Sequence, residues 1–132
     1  MRAYLLATIA ASCAMPAFAG TNICWFDHVS ASQDRLVLHF SSNASLRLWG
    51  QGRQYLIERG SIYQADSNGN PQLVDGAQKV VELSLASGET MTGMVTPENA
   101  CRYTVTERDG KRGLLLTASF GGTPATAFLL PE

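Results

Sequence analysis

His28 and His39 are the whole imidazole supply of this chain. A metal centre or an acid–base catalyst working near neutral pH would draw on one of them. Asp27 directly precedes His28 and serines are plentiful, which invites a hydroxyl–imidazole–carboxylate arrangement. Neighbours on a strand point to opposite faces, however, so Asp27 is not expected to orient the His28 ring. Both histidines are expected to be solvated or edge-strand residues. Neither a Gly-x-Ser-x-Gly elbow nor a His-Glu-x-x-His pair occurs. The carboxylates fall mostly in expected turns or on polar strand faces, which serves solubility better than paired glycoside chemistry. Asp66, Asn68, Asn70 and Asp75 offer oxygen ligands without the EF-hand frame or its closing glutamate. The expectation is a protein that is not an enzyme and carries no metal and no cofactor.

The aromatic residues are the remaining resource. Trp25, Phe26, Trp49, Tyr55, Tyr63 and Tyr103 suffice to line a pocket or anchor an interface. In Ser45-Leu46-Arg47-Leu48-Trp49, Leu46 and Leu48 share one face, and Arg47 and Trp49 share the other. Trp25 and Phe26 are consecutive, so a regular strand turns one of them outward. Trp25, Phe26, Arg47 and Trp49 are therefore the candidate binding surface. The competing expectation is that another strand or loop covers Trp49.

The elements that must position these residues follow from period-two patterning between turns. Arg35 to Phe40, Ser45 to Trp49, Lys79 to Leu85, Cys101 to Arg108 and Leu114 to Phe120 each alternate. Ala125 to Leu130 is a short apolar strand, and Asn22 to Val29 and Gln54 to Tyr63 complete the set, with a bulge or turn expected at Gly60. Asp109-Gly110 is the sharpest hairpin signal. Asn43-Ala44, Gly50-Gln51-Gly52, Ser87-Gly88 and Gly121-Gly122 read as further turns, and 67–71 as a loop. About eight or nine short strands, without a helix, predict an all-β domain that is either a small antiparallel barrel or a sandwich.

The amino terminus and the cysteines place this domain in a compartment. Arg2, the apolar run Ala3 to Ala11 and the small residues of Ala17-Phe18-Ala19 predict a signal peptide over 1–19, leaving a single domain over 20–132. Ala10-Ala11-Ser12-Cys13 offers the alternative of a lipid anchor at Cys13. The apolar run falls short of the roughly 20 residues that span a bilayer. Export to the periplasm or beyond brings an oxidising environment, where Cys24 and Cys101 are expected to pair. Loss of Arg2 leaves a net charge of −2, with arginines spread singly, so no nucleic-acid footprint is expected. The expected function is an exported binding module for a protein or envelope component, with inhibition of a hydrolase as one form of it. The alternative is a lipocalin-like carrier of a small apolar ligand. The apolar residues expected to face inward are enough to fill a small barrel, which favours surface binding.

Overall fold

The computed structural model describes residues 23–75 and 81–132. The expected signal peptide and Cys13 lie outside them. A short 3-10 turn at Ile23–Trp25 leads into eleven strands: β1 (Phe26–Ser32), β2 (Arg35–Phe40), β3 (Ser45–Gly50), β4 (Arg53–Glu58), β5 (Ser61–Ala65), β6 (Pro71–Asp75), β7 (Val81–Ala86), β8 (Thr90–Thr96), β9 (Asn99–Arg108), β10 (Lys111–Phe120) and β11 (Thr123–Leu129). All pairings among the described residues are antiparallel. A three-stranded sheet has the order β1-β2-β7, and an eight-stranded sheet the order β11-β10-β9-β8-β3-β4-β5-β6. The large sheet is two meanders, β3 to β6 and β8 to β11, joined where β3 pairs with β8. The sheets pack as a sandwich and do not close into a barrel.

Local chemistry explains the tight hairpins. Asp109-Gly110, Gln51-Gly52, Arg59-Gly60 and Gly121-Gly122 all have positive φ at both residues. That conformation matches the right-handed twist of the flanking strands in a two-residue loop. The turn at Arg59-Gly60 splits the expected segment Gln54 to Tyr63 into β4 and β5. Two strands escape the sequence pattern for different reasons. β8 (TMTGMVT) buries only Met91 and Gly93 on its inward side, so its alternation is weak in apolar side chains. β6 is an edge strand that begins with Pro71 and exposes Leu73 and Val74, a position where proline costs no ladder bond.

The core lies between the sheets. Val29, Leu36, Leu38, Phe40, Leu83 and Leu85 come from the small sheet. Leu46, Leu48, Tyr103, Val105, Leu114 and Leu116 face them from the large one. Three rings join the layers: Phe26 lies 6.1 Å from Phe40, and both lie 5.9 Å from Tyr103. The Phe40 ring meets the other two nearly edge-on, the arrangement that aromatic quadrupoles prefer. Gly93 makes room for this cluster, since a Cβ there would sit 3.1 Å from the Tyr103 hydroxyl. That hydroxyl is buried without a partner, and burial pushes its pKa up beyond the ordinary tyrosine range. Polar links add to the apolar ones. Glu89 accepts the Ala86 amide at 2.8 Å and lies within 3.9 Å of both Arg35 on β2 and Arg53 on β4.

Cys24 and Cys101 form the expected disulfide, with Cα atoms 6.3 Å apart. Cys24 stands just ahead of β1, and Cys101 is on the inward face of β9. The crosslink therefore holds the entrance of the small sheet onto the middle of one meander of the large sheet. Closing a loop across a separation of 77 residues is worth about 4–5 kcal/mol in chain entropy. Replacing both cysteines by serine is expected to lower unfolding stability by about 2–5 kcal/mol in urea titrations. A loss below about 1 kcal/mol would show that packing alone holds the sheets together.

Candidate functional site

Strand alternation puts Leu46 and Leu48 in the core and turns Arg47 and Trp49 outward on β3. On β4, Tyr55 and Ile57 are buried, so Gln54 and Leu56 face the same way as Trp49. Register then assembles a row across four strands: Arg47 opposite Leu56, Leu56 opposite Tyr63, and Tyr63 opposite Leu73. Trp49 sits opposite Gln54. The result is an open groove of 510 Å³ on the outer face of the large sheet. Arg47, Trp49, Gln54, Leu56 and Tyr63 line its floor and walls, and Gly69 and Pro71 lie at its edge. Trp49 is 38% exposed, Leu56 36% and Leu73 60%, high values for large apolar side chains.

The groove has fixed borders. Gly50 ends β3 against β8, where a Cβ would collide with the Thr90 carbonyl and the Met91 side chain, so only glycine allows this approach beside Trp49. The β5–β6 loop is held by Asp66. One of its carboxylate oxygens accepts the amides of Asn68 and Asn70 at 2.9 Å each, and the other accepts Gln72 Nε2 at 3.2 Å. These amide bonds, the Asn70 amide first, hold the Asp66 carboxyl below its usual pKa. The carboxylate thus braces its own turn. Among the described residues no group of three or more His, Cys, Asp or Glu side chains is arranged to hold a metal ion.

The four candidate surface residues separate. Arg47 and Trp49 come together in the groove. Phe26 lies between the sheets in the three-ring cluster, and Trp25 packs half-buried against the core. Consecutive positive φ at Cys24 (52°) and Trp25 (57°) breaks the alternation that would have turned one ring outward. Leu56 and Gln54 belong to no motif in the sequence. Their signal is the phase of β4, where Tyr55 and Ile57 occupy the inward positions.

The histidines form a second cluster, on the outer face of the small sheet. His28 and His39 stack across β1 and β2 with centroids 4.2 Å apart and planes 8° from parallel. Asp27 Oδ2 lies 3.0 Å from His28 Nδ1, contrary to the expectation from simple alternation. The reason is an irregularity in β1: Phe26 pairs with Phe40 and His28 with His39, so Asp27 is a bulged residue turned to the side of its neighbour. His39 Nε2 shares a 2.7 Å hydrogen bond with Ser30 Oγ, and Glu82 lies 3.5 Å from its Nδ1. Serine and aspartate thus meet different rings. Glu82 is within ion-pair reach of His39 but beyond a well-formed hydrogen bond.

Burial lowers the pKa of His39, and the adjacent His28 lowers it further, against opposition from Glu82, Asp27 and Glu132. The neutral ring is therefore favoured in the fold. No helix among the described residues is long and apolar enough to cross a membrane. Comparison with protein-family models, curated proteins and solved structures returns no match.

A depressed histidine adds stability above its unfolded pKa and loses that stability as pH falls through the folded value. Unfolding stability is thus expected to decline as the pH falls below the ordinary histidine value of about 6.5. His39→Gln is expected to flatten that decline in urea titrations along this pH range. An unchanged slope in the variant would place the titrating group elsewhere.

Proposed function

We propose that this chain is an exported, non-enzymatic binding module that engages a protein or envelope component through the groove of Arg47 and Trp49. The observation that carries the proposal is a tryptophan 38% exposed on a sheet face, lining a concavity beside an arginine. Exposed aromatic and arginine side chains in a recess are the residue types that dominate binding energetics. The signal-like segment 1–19 and the Cys24–Cys101 disulfide support export, since such crosslinks persist in oxidising compartments. Inhibition of a hydrolase is one form the binding can take. The carrier alternative relied on a barrel interior, and the open sandwich with its packed core removes that support.

Trp49→Ala separates binding from folding. Trp49 lies outside the core, so its truncation is expected to cost the fold less than the roughly 3–5 kcal/mol of a buried tryptophan. Truncating an interface anchor costs about 2 kcal/mol or more, roughly thirtyfold in affinity. The variant is expected to melt close to the parent and to lose the partner that the parent retains from an exported fraction. A large drop in melting temperature with unchanged partners would mean that Trp49 supports the fold and not a binding surface.

A further inference from the structure

The groove is specific about charge. None of its lining side chains is acidic, and the Arg47 guanidinium makes no hydrogen bond or ion pair with any described residue. Among the described residues the Gln54 side chain and the Tyr63 hydroxyl are likewise without partners, and Trp49 makes no ring contact. An exposed guanidinium beside an indole, with no carboxylate among the lining residues, is complementary to an anion. The same groove presents flat apolar surface from Trp49, Leu56 and Tyr63. Its occupant therefore needs an apolar face, an edge rich in hydroxyl or carbonyl groups for Gln54 and Tyr63, and a negative charge for Arg47.

Size narrows the choice further. A volume of 510 Å³ falls within the roughly 300–1,000 Å³ of small-ligand sites. A pyranose ring has an apolar face of C–H groups and a perimeter of hydroxyls, and a uronic acid adds one carboxylate. We infer that the groove binds a short acidic oligosaccharide. One sugar ring lies on Trp49, its carboxylate meets Arg47, and its hydroxyls meet Gln54 and Tyr63. The Asp66-braced loop keeps Gly69 and Pro71 in place at the edge. This inference rests on the binding reading above and names the ligand class for the same surface.

Isothermal titration of the oxidised protein with defined probes tests it. The probes are trigalacturonate, a hyaluronan tetrasaccharide, the carboxyl-reduced forms of both, and a hexaglutamate peptide. At least one acidic sugar is expected to bind, with its carboxyl-reduced form at least about tenfold weaker, the effect of losing one charge-assisted contact. Arg47→Gln should bring the acidic sugar down to the affinity of the reduced form, and Trp49→Ala should abolish binding of both. Melting curves of the two variants should match the parent. Equal affinity for acidic and reduced sugars, binding that survives Trp49→Ala, or no heat with either acidic sugar at millimolar concentration would each overturn the inference. Binding of hexaglutamate alone would overturn it too, in favour of an acidic protein segment. Sugar failure combined with Trp49-dependent retention of a partner would remove the ligand class and leave the binding surface standing.

Discussion

The structure depends on a clasp between its two sheets. The Cys24–Cys101 disulfide and the rings of Phe26, Phe40 and Tyr103 meet where the chain enters β1. The entry is conformationally costly, because Cys24 and Trp25 both take left-handed backbone angles that non-glycine residues seldom adopt. The crosslink and the bond from the Cys24 amide to Asn99 Oδ1 at 3.2 Å hold it there. In return Phe26 is delivered to the core, and a small sheet of only three strands is fixed onto a much wider one. Hydrophobic burial alone would favour the same packing but has no directional preference. The clasp supplies the direction.

From that geometry follows a division of labour between surfaces. The small sheet covers the inward face of the large sheet, and the outer face of β3, β4 and β5 is left to water. Alternation then decides the site without further instruction. Every second residue feeds the core, and Arg47, Trp49, Gln54, Leu56 and Tyr63 take the remaining positions. The same logic puts the stacked histidines on the outside of the small sheet, where Ser30, Asp27 and Glu82 surround them. That cluster is a polar patch whose neutral ring is favoured by partial burial, and its chemistry is separate from that of the groove.

Much of the fold was legible because period-two patterning and turn residues act locally. Asp109-Gly110 announced its hairpin, and the alternation of Leu36, Leu38 and Phe40 announced an inward face. The disulfide needed only a cysteine count and an oxidising compartment. The sequence did not reveal features that depend on register between distant strands. Leu56 and Tyr63 become neighbours of Arg47 only once β3, β4 and β5 pair in one phase. Asp27 reaches His28 only because β1 carries a bulge, and no residue type marks that bulge. β8 was obscured because Gly93 leaves space for Tyr103 where an apolar side chain would have signalled a strand. Barrel and sandwich were indistinguishable because both use the same alternation. They differ only in whether the outermost strands pair, and here β11 and β6 stay apart as the two edges of the large sheet.

The central claim is that the outer face of β3 to β5 is open and that water reaches Trp49 upon it. Acrylamide quenching of tryptophan fluorescence in a Trp25→Phe variant isolates Trp49 and measures this directly. The account predicts emission to the red of a buried indole and quenching well above that of a protected one. A blue-shifted, protected emission would contradict it, because something would then cover the face on which the binding surface depends.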